Sequence, residues 1–441
     1  MAVARRLIGA LLLTTSGGCG ASAEHGPPDV LLVALDTVRW DHTDLAGYPA
    51  GVTPNLAAFA QLPGSVVFSR AYTDAAWSQP AYVSLFTGQQ ALTHGVGYHR
   101  SALDPGQATL ATMLRASGYQ TRAYASGPHL APATGLADGF DQYNHSIDQR
   151  TIAIQVEPAL DWLKEDSAVP RFAFVHGYDA HAPYGAPAIL SDRFQPDGKP
   201  LRESCTVPGW RCFPPGEMNR TGPALSAERQ AQLVGAYDAA VLYADHQLGR
   251  LLHGLEASGR LENTVVVVLS DHGEMLGEDG GLGHDAGYSD AVYHVPLVVR
   301  FPSDAPARTV DRLVSLSDLV PTLAQRFEMV APGGADGHVI GELLDPAVES
   351  PPHPHRGAST CCYYVRDGDD AAWALHGTGT LDWSLLPGST GRADATTHLA
   401  TVLGDWPVQL TGVEAVNREA GERDPALKKA LQESGYWKSE D

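Results

Sequence analysis

The amino-acid sequence predicts an α/β protein, with a mostly parallel sheet sandwiched by helices and a smaller C-terminal α+β subdomain. Short continuous apolar runs such as Asp29–Leu35 and Asn263–Leu269 are typical of strands that are buried on both faces. Helical patterns lie between these runs, the longest of them from Ser226 to Ser258. Because strands alternate with helices, we expect a parallel sheet with helices on both faces.

The remaining elements follow from their own patterns along the chain. Strands are expected at Asp29–Leu35, Ser65–Phe68, Gln120–Ala125, Arg171–Val175, Asn263–Leu269 and Tyr293–Phe301. Helices are expected at Leu56–Gln61, Ser78–Gly88, Gln107–Ser117, Thr151–Glu165, Ser226–Ser258 and Ser315–Phe327. The Pro- and Gly-rich stretch Ala186–Gly222 reads as a long surface loop. Residues 27–350 are expected to form the main domain and residues 355–441 the C-terminal subdomain, which carries weak strand patterns and ends in a predicted helix, Pro425–Ser434.

The charge balance restricts the kind of partner. The formal net charge is -21, which argues against nucleic acid and against an anionic membrane surface. An anionic substrate then requires a locally positive site, and a bound metal ion is the simplest way to make one.

The N-terminus has the pattern of an export signal. Arg5 and Arg6 precede the apolar run Leu7–Leu13, which is too short to span a bilayer. Ser16–Cys19 resembles a bacterial lipobox, so residues 1–18 are expected to be a signal peptide and Cys19 to be lipidated. The chain is therefore expected in the bacterial cell envelope, as a periplasmic or outer membrane lipoprotein anchored to the membrane by its lipid. The alternative is an ordinary secreted protein.

Export implies an oxidising compartment for the four cysteines that follow Cys19. Cys205 and Cys212 flank a Pro-Gly turn signal and could close a small loop. The adjacent residues Cys361 and Cys362 are expected to be hard to bridge to each other. Neither pair has the spacing of a zinc module, so both pairs are interpreted as structural.

Ser78 begins the stretch around which the site is predicted. It stands where a helix N-cap belongs, Pro80 lies in the first turn, and Gly88 is a natural helix end. A hydroxyl at this position faces unpaired backbone N–H groups and the positive end of a helix dipole, which suits an anion. The alternative interpretation is that Ser78 only caps its helix.

Ionisable residues follow several of the buried strands. Asp36 comes after the first strand, while Asp271 and His272 follow the run of valines at 265–268. Because the carboxyl ends of parallel strands share one crevice, these side chains are expected to meet near Ser78. Two carboxylates, one imidazole and an oxygen nucleophile form a plausible site for one divalent metal ion. Taken by itself, Asp36 is better explained as a helix N-cap or turn residue.

His181 and His284 are the remaining candidates for catalysis. His181 lies in the His-rich segment after the strand Arg171–Val175, and His284 follows the Gly-rich turn Glu278–Gly283. Either imidazole could hold the non-bridging oxygens of a substrate or protonate a leaving alkoxide. A set of His176, His272 and His284 also leaves a zinc-type site open, although no short ligand spacing supports a zinc module.

These motifs, in this order, resemble the sulfatase family of the alkaline phosphatase superfamily, from Asp29 to about Leu344. The resemblance rests on the segments Val30–His42, Thr53–Leu56, Ser78–Gly88 with His94-Gly95, His181–Tyr184, Ser270–Glu274, His294–Leu297, Asp318–Leu323, and Leu431 with Gly435-Tyr436. It implies a metal held by Asp36, Asp271 and His272, with Ser78 at the nucleophile position and also at the metal. It further implies hydrolysis of a sulfate or related ester, with His181 and His284 contacting the transferred group.

The sequence departs from the typical family pattern at four positions. Tyr82 replaces the arginine of the C/S-x-P-x-R motif, and Gln89 stands where a basic residue is usual, so Ser78 is expected to stay serine and not to become formylglycine. Thr37 replaces a second carboxylate, and His272 replaces an amide. This donor set shifts the expected metal from calcium towards manganese or zinc.

The resulting hypothesis is metal-dependent hydrolysis of sulfate esters with Ser78 as nucleophile. The substrate is expected to be a small-molecule, glycan or lipid ester. The first alternative is a phosphodiesterase, a phosphonate ester hydrolase or a headgroup phosphotransferase of the same superfamily, since sulfate monoesters and phosphate diesters both carry a single negative charge. The second is a non-catalytic surface lipoprotein that binds glycans.

Overall fold

A computed structural model describes residues 26–147, 151–198, 201, 209–213, 225–284, 288–375, 383–387, 389, 395–403, 426, 428 and 429. Its strands are β1 Asp29–Leu35, β2 Ser65–Tyr72, β3 Gln120–Ser126, β4 Gln142–Ser146, β5 Arg171–Gly177, β6 Gly185–Pro187, β7 Trp210–Cys212, β8 Thr264–Leu269, β9 Met275–Leu276, β10 Leu282–Gly283, β11 His294–Arg300, β12 Arg308–Ser315, β13 His355–Ala358, β14 Cys362–Asp367, β15 Asp370–Leu375 and β16 Trp383–Leu385. Its helices are Pro54–Phe59, Ser78–Thr87, Ala91–His94, Leu110–Ala116, Ala153–Lys164, Ala188–Ser191, Ala227–Ala257, Asp290–Tyr293, Leu319–Arg326, Gly341–Leu344 and Ala395–Leu403.

Eight strands form the central sheet, in the order β12-β2-β11-β8-β1-β5-β3-β4. Every neighbouring pair is parallel except the two pairs made by β11, which runs antiparallel to β2 and β8. The predicted α/β class with a mostly parallel sheet is confirmed.

Helices cover both faces of this sheet. Side chains of β1 alternate between two buried clusters, with Val30 and Leu32 on one face and Leu31 and Val33 on the other. The first face packs against the helices that contain Leu85, Leu110 and Leu319, and the second against the helices that contain Val156, Leu248 and Leu56. Burial on both faces is the reason that the central strands are continuously apolar.

Two strands at the edges of the sheet were not expected from the sequence. β4 and β12 are the terminal strands of the sheet, and both keep partly exposed polar residues. An edge strand that is not covered on both faces does not show a continuous apolar run, so the signal used for the central strands is absent there. The helix predicted at Ser315–Phe327 is shorter, because β12 extends to Ser315 and a 3₁₀ turn, Leu316–Asp318, precedes the helix Leu319–Arg326.

The C-terminal strands form a small antiparallel sheet in the order β13-β14-β15-β16. The small sheet contacts the segment that follows β2, where Ala75 forms an isolated β-bridge with Ala358 of β13. Tyr363, Val365 and Leu399 are buried in one cluster with residues of the Ser78 helix and the segment after it. The division at residues 350–355 stays a prediction, and almost all of the predicted helix Pro425–Ser434 lies outside the described residues.

The cysteines differ in part from the expectation. Cys361 and Cys362 form a disulfide with each other, in the turn between β13 and β14, so the expectation that neighbouring cysteines would not bridge is wrong. The turn brings the two sulfurs within bonding distance although the residues are adjacent. Cys212 is disulfide-bonded, and Cys205 lies outside the described residues.

The predicted signal peptide, residues 1–18, and Cys19 also lie outside the described residues. Within the part of the chain that the structure describes, no helix has both the length and the apolar character needed to cross a bilayer.

Candidate active site

Ser78 is the first residue of its helix and not the N-cap, which is Trp77 in an extended conformation. The prediction that Ser78 caps the helix is therefore wrong. Its hydroxyl is instead available to groups outside the helix: Oγ lies 3.4 Å from Oδ2 of Asp36 and 3.3 Å from Nε2 of His272. Gly88 ends the helix with φ 71°, as expected for a left-handed C-terminal glycine.

The register of the central strands brings Asp36 and Asp271 to one place. β1 and β8 are parallel neighbours, and Ala34 is paired with Leu269. Asp36 and Asp271 each follow two residues later, so both emerge at the carboxyl end of the sheet. The backbone turns sharply there, since Thr37 has φ 60° and donates its N–H to Oδ1 of Asp271 over 3.2 Å.

The side chain of Asp271 is fully buried, where an unbalanced negative charge is unfavourable. Burial, reinforced by the negative charge of Asp36, raises the pKa of Asp271 well above its usual range. Its Oδ2 accepts no hydrogen bond from the described residues and lies 3.4 Å from Nε2 of His272. A buried carboxylate oxygen without a donor is costly, and a cation removes that cost.

His272 presents the lone pair of Nε2 to the same place. Its Nδ1 lies 2.9 Å from the carbonyl oxygen of Gly273 and donates its proton there, which fixes the tautomer. Burial lowers the pKa of His272 well below its usual range, and neighbouring His284 lowers it further. The ring is therefore neutral, with Nε2 free to act as an acceptor or a metal ligand.

His176, which the sequence suggested only for an alternative zinc-type set, contacts Asp36. Its Nε2 lies 3.0 Å from Oδ2 of Asp36, and the backbone N–H of Ser126 donates to its Nδ1 over 3.3 Å. Burial lowers the pKa of His176 to about 4, so the neutral ring donates its Nε2 proton to the carboxylate. The available signal was its position at the end of β5, where His176 is paired with Ala34 of β1.

His181 and His284 lie together at one side of this group. The ring of His284 is 4.3 Å from that of His272 and 5.1 Å from that of His181, between ring centres. Nδ1 of His284 is 2.7 Å from Oε1 of the buried Glu274, and Nδ1 of His181 is 2.7 Å from the carbonyl oxygen of Ala182. These contacts orient both rings beside His272.

Glu274 and Tyr82 are two further residues without a predicted role. Glu274 was seen in the sequence only as the end of the Ser270–Glu274 motif. Tyr82 lies one helical turn after Ser78, its ring is 5.3 Å from that of His176, and its buried hydroxyl has no hydrogen-bond partner among the described residues. Burial, together with the negative charges of Asp271 and Asp36, raises the pKa of Tyr82 well above its usual range. The hydroxyl therefore stays protonated.

The residues present suit a divalent metal ion. Ligand atoms of Asp36, Asp271 and His272 lie within 4.8 Å of one another, and all three residues are buried. Two carboxylates, a neutral imidazole and the Ser78 hydroxyl form a mixed oxygen and nitrogen set, which suits manganese or zinc better than the all-oxygen cage that calcium prefers.

Comparison with known proteins yields a consistent set of relatives. Residues 28–329 match the family model described as Sulfatase. The chain is 26% identical over 352 residues to an ulvan-active sulfatase of Formosa agariphila, covering 72% of this chain and 65% of that protein, and 22% identical over 384 residues to an arylsulfatase of Clostridium perfringens, covering 72% and 78%. The crystal structure of a phosphonate monoester hydrolase of Agrobacterium radiobacter has the same fold, with a TM-score of 0.67 at 22% identity over 92% of this chain and 95% of that one.

Proposed function

The chain belongs to the sulfatase family, and from this premise we propose that it hydrolyses sulfate esters with Ser78 as the nucleophile. The observation that carries the proposal is the position of the Ser78 hydroxyl, 3.4 Å from Asp36 and 3.3 Å from His272. A hydroxyl that only capped a helix would bond the backbone of its own first turn.

One divalent metal ion is proposed to bind to Asp36, Asp271, His272 and Ser78. When bound, such an ion supplies positive charge that lowers the pKa of the serine hydroxyl and balances the charge of the oxyanion. His176 keeps Asp36 in place through the 3.0 Å contact between Nε2 and Oδ2. Thr37 does the same for Asp271 through its backbone N–H.

In the first step Ser78 Oγ attacks the sulfur atom in line with the ester oxygen. The Oγ–S bond forms, the hydroxyl proton passes to Oδ2 of Asp36, which accepts the Ser78 hydrogen bond, and the S–O bond of the ester breaks with its electron pair going to the leaving oxygen. In the second step water attacks sulfur and gives one proton to His284, while Ser78 Oγ leaves and takes its proton back from Asp36. Serine and His284 are restored, and hydrogen sulfate is released. Covalent catalysis of this kind replaces one difficult displacement with two easier ones.

The leaving oxygen requires a proton, and His284 is the proposed donor. Oε1 of Glu274 lies 2.7 Å from Nδ1 of His284, and this contact orients the ring for donation of a proton to the leaving oxygen. His181, whose ring is 5.1 Å from that of His284, is placed to hold the non-bridging oxygens.

We propose that Ser78 acts as an unmodified serine. The arginine position of the formylglycine motif is occupied by the uncharged, buried Tyr82. Gln89, at the second basic position, directs its side-chain amide to the carbonyl oxygen of Gly334 over 3.2 Å. Neither residue supplies the positive charge that would help to hold an aldehyde hydrate beside two carboxylates.

Phosphonate or phosphodiester hydrolysis is the second candidate. His272, next to Asp271, gives the proposed metal a nitrogen ligand. The described residues of the site do not distinguish sulfur from phosphorus, because singly charged sulfate and phosphate esters present similar oxygens. The shared fold with a phosphonate monoester hydrolase fits this candidate. Non-catalytic glycan binding is disfavoured, because it gives no reason to gather a nucleophile, two carboxylates and four histidines.

We also propose that the chain is exported, with residues 1–18 as signal peptide and Cys19 as lipid anchor, and that its substrate is a small-molecule, glycan or lipid ester outside the cytoplasm. Arg5, Arg6 and the apolar run Leu7–Leu13 support the export signal. A Cys19→Ala variant should move from the membrane fraction to the soluble fraction of the envelope.

Rates on matched aryl sulfate, phosphate diester and phosphonate ester substrates test the proposal. The full chain is stripped of metal and then loaded with manganese, zinc or calcium, and Ser78→Ala serves as the blank. We expect the highest kcat/KM on the sulfate ester with manganese or zinc and none with Ser78→Ala. A preference for the phosphonate or phosphate ester would instead favour the second candidate. Full activity of Ser78→Ala would overturn both.

A further inference from the structure

Three residues outside the candidate active site form a second group with the chemistry of a metal site. Ligand atoms of Asp318, His338 and His353 lie within 4.8 Å of one another. Asp318 ends the 3₁₀ turn after β12, His338 lies in the loop after the helix Leu319–Arg326, and His353 precedes β13. We propose that these three side chains bind a zinc ion that joins the main sheet to the C-terminal sheet.

The carboxylate of Asp318 is held in a fixed orientation. It is buried, its Oδ1 accepts the backbone N–H of His338 over 2.7 Å, and its Oδ2 accepts that of Ser315 over 2.9 Å. Both oxygens keep a further lone pair after these bonds. Preorganisation of this kind is typical of metal-ligating carboxylates.

The two imidazoles approach this carboxylate from the same side. Nε2 of His353 is 3.0 Å from Oδ2 of Asp318, Nδ1 of His338 is 3.9 Å from Oδ1, and the two rings stack with centres 4.2 Å apart. Ligand atoms of a tetrahedral zinc site are about 3.3 Å apart, given bonds of roughly 2.0–2.2 Å. His353 already meets this spacing, and His338, whose side chain is 59% exposed, can turn its ring at little cost.

The surroundings favour a cation. Asp74 and Asp336 add two more carboxyl groups; burial, and then the negative charges of Asp318 and Asp336, raise the pKa of Asp74 well above its usual range. Arg312 lies on the far side of the His353 ring, with Nη2 3.5 Å from Nδ1. Zinc takes the lone pair of Nε2, and the ring proton moves to Nδ1. The guanidinium of Arg312, which can only donate, then gives up its contact with Nδ1 and keeps its bonds to the carbonyl oxygens of Ser350 and Pro351.

Two imidazoles and one carboxylate favour zinc over magnesium and calcium. Magnesium and calcium prefer sets made of oxygen, whereas imidazole suits zinc. Because His338 is exposed, water can complete the coordination.

The site is separate from the candidate active site. The loop that carries His338 binds the far end of the Ser78 helix, where the backbone N–H groups of Asp336 and Gly337 donate to the carbonyl oxygen of Gly88. The helix has 10 residues, so this end is about 15 Å from Ser78 at 1.5 Å per residue. The zinc would therefore stabilise the loop that binds the C-terminal end of the Ser78 helix, and it would not contact the substrate.

Zinc stoichiometry in a chain without the candidate active-site ligands tests the proposal. In a background of Asp271→Asn with His272→Gln, stripped protein is loaded with zinc, passed through gel filtration and analysed by mass spectrometry of the metal. We expect one zinc per chain, lost on adding His338→Gln and kept on adding His253→Gln, which removes an exposed histidine elsewhere. Unchanged zinc in the His338→Gln chain, or no zinc in the background chain, would overturn the proposal.

Thermal unfolding gives a second readout and a control for folding. Without zinc, the chains with and without His338→Gln should unfold at the same midpoint, because His338 is exposed. Zinc should raise the midpoint only in the chain that keeps His338. An equal rise in both chains would contradict the assignment. Since the background lacks the candidate active-site ligands, the result does not depend on whether the chain hydrolyses esters.

Discussion

The Nδ1 atom of His284 lies 2.7 Å from Oε1 of Glu274, and both side chains are buried. This contact fixes the orientation of the His284 ring against a buried carboxyl group. The arrangement is that of a proton donor oriented by a carboxylate. Neither the pairing nor the orientation follows from the ten-residue spacing of the two positions.

Glu274→Gln and His284→Gln should slow hydrolysis most with poor leaving groups. An alkoxide requires a proton as it departs, whereas a nitrophenolate does not, so we expect a loss of about 100-fold in kcat/KM for alkyl sulfates. The loss for nitrophenyl sulfate should be much smaller. Rates on a series of esters with different leaving-group pKa values measure this. An equal loss across the series would argue against proton donation.

Asp271→Asn should remove both the active-site metal and turnover. The substitution keeps the size of the side chain but removes the charge that pairs with a cation, and we expect a loss of at least about 1000-fold in kcat/KM. Metal content per chain and activity are measured on the same sample. Asp245→Asn is the matched control, because Asp245 is equally buried but bonds Asn55 and Leu56 away from the site. A variant that kept its activity without metal would rule out the proposed role.

The peptide that contains Ser78 should have the mass expected for serine. Conversion to formylglycine would lower that mass by two hydrogen atoms. Intact and tandem mass spectrometry of protein purified from its native host decide between the two. A mass deficit at Ser78 would show that Tyr82 and Gln89 do not prevent the modification.

Tyr82→Phe should lower turnover without lowering stability. The hydroxyl is buried without a hydrogen-bond partner among the described residues, so its removal costs nothing in the folded state and is expected to leave the thermal midpoint unchanged or slightly higher. We expect the hydroxyl to donate to the reacting group, so kcat should fall about 10-fold. An unchanged kcat would leave the tyrosine as a packing residue.

His94 should make the fold sensitive to acid. The ring is buried, its Nδ1 accepts the backbone N–H of Val96, and its Nε2 is 3.0 Å from Ser84 Oγ. Burial lowers its pKa from 6.5 to about 3. The unfolded chain therefore binds a proton below pH 6.5 that the folded chain does not, and stability present above pH 6.5 is lost as the pH falls towards 3.

The slope of unfolding free energy against pH measures this effect. Between pH 6 and 4.5, His94→Gln should reduce the slope by up to about 1.4 kcal/mol per pH unit, which corresponds to one proton. His253→Gln serves as the exposed control and should leave the slope unchanged. A slope that His94→Gln does not alter would mean that the buried ring is not the group that titrates.

The sequence by itself determined the central strands and the identity of the residues at their ends. A strand covered on both faces must be apolar at every position, so Asp29–Leu35 and Thr264–Leu269 can be recognised locally. Since parallel strands end at one edge, the meeting of Asp36 with Asp271 follows from the fold class. Edge strands β4 and β12 carry no such signal, because water covers part of their surface.

Only the tertiary structure decided which side chains pair and how they are oriented. It placed His176 against Asp36, and it buried the Tyr82 hydroxyl within the electrostatic influence of Asp271 and Asp36. It moved Ser78 from the helix cap into the first turn. It also brought Asp318, His338 and His353 together across segments that are distant along the chain. Such contacts depend on strand register and on the packing of helices on the sheet, and no local pattern of residues encodes either of them.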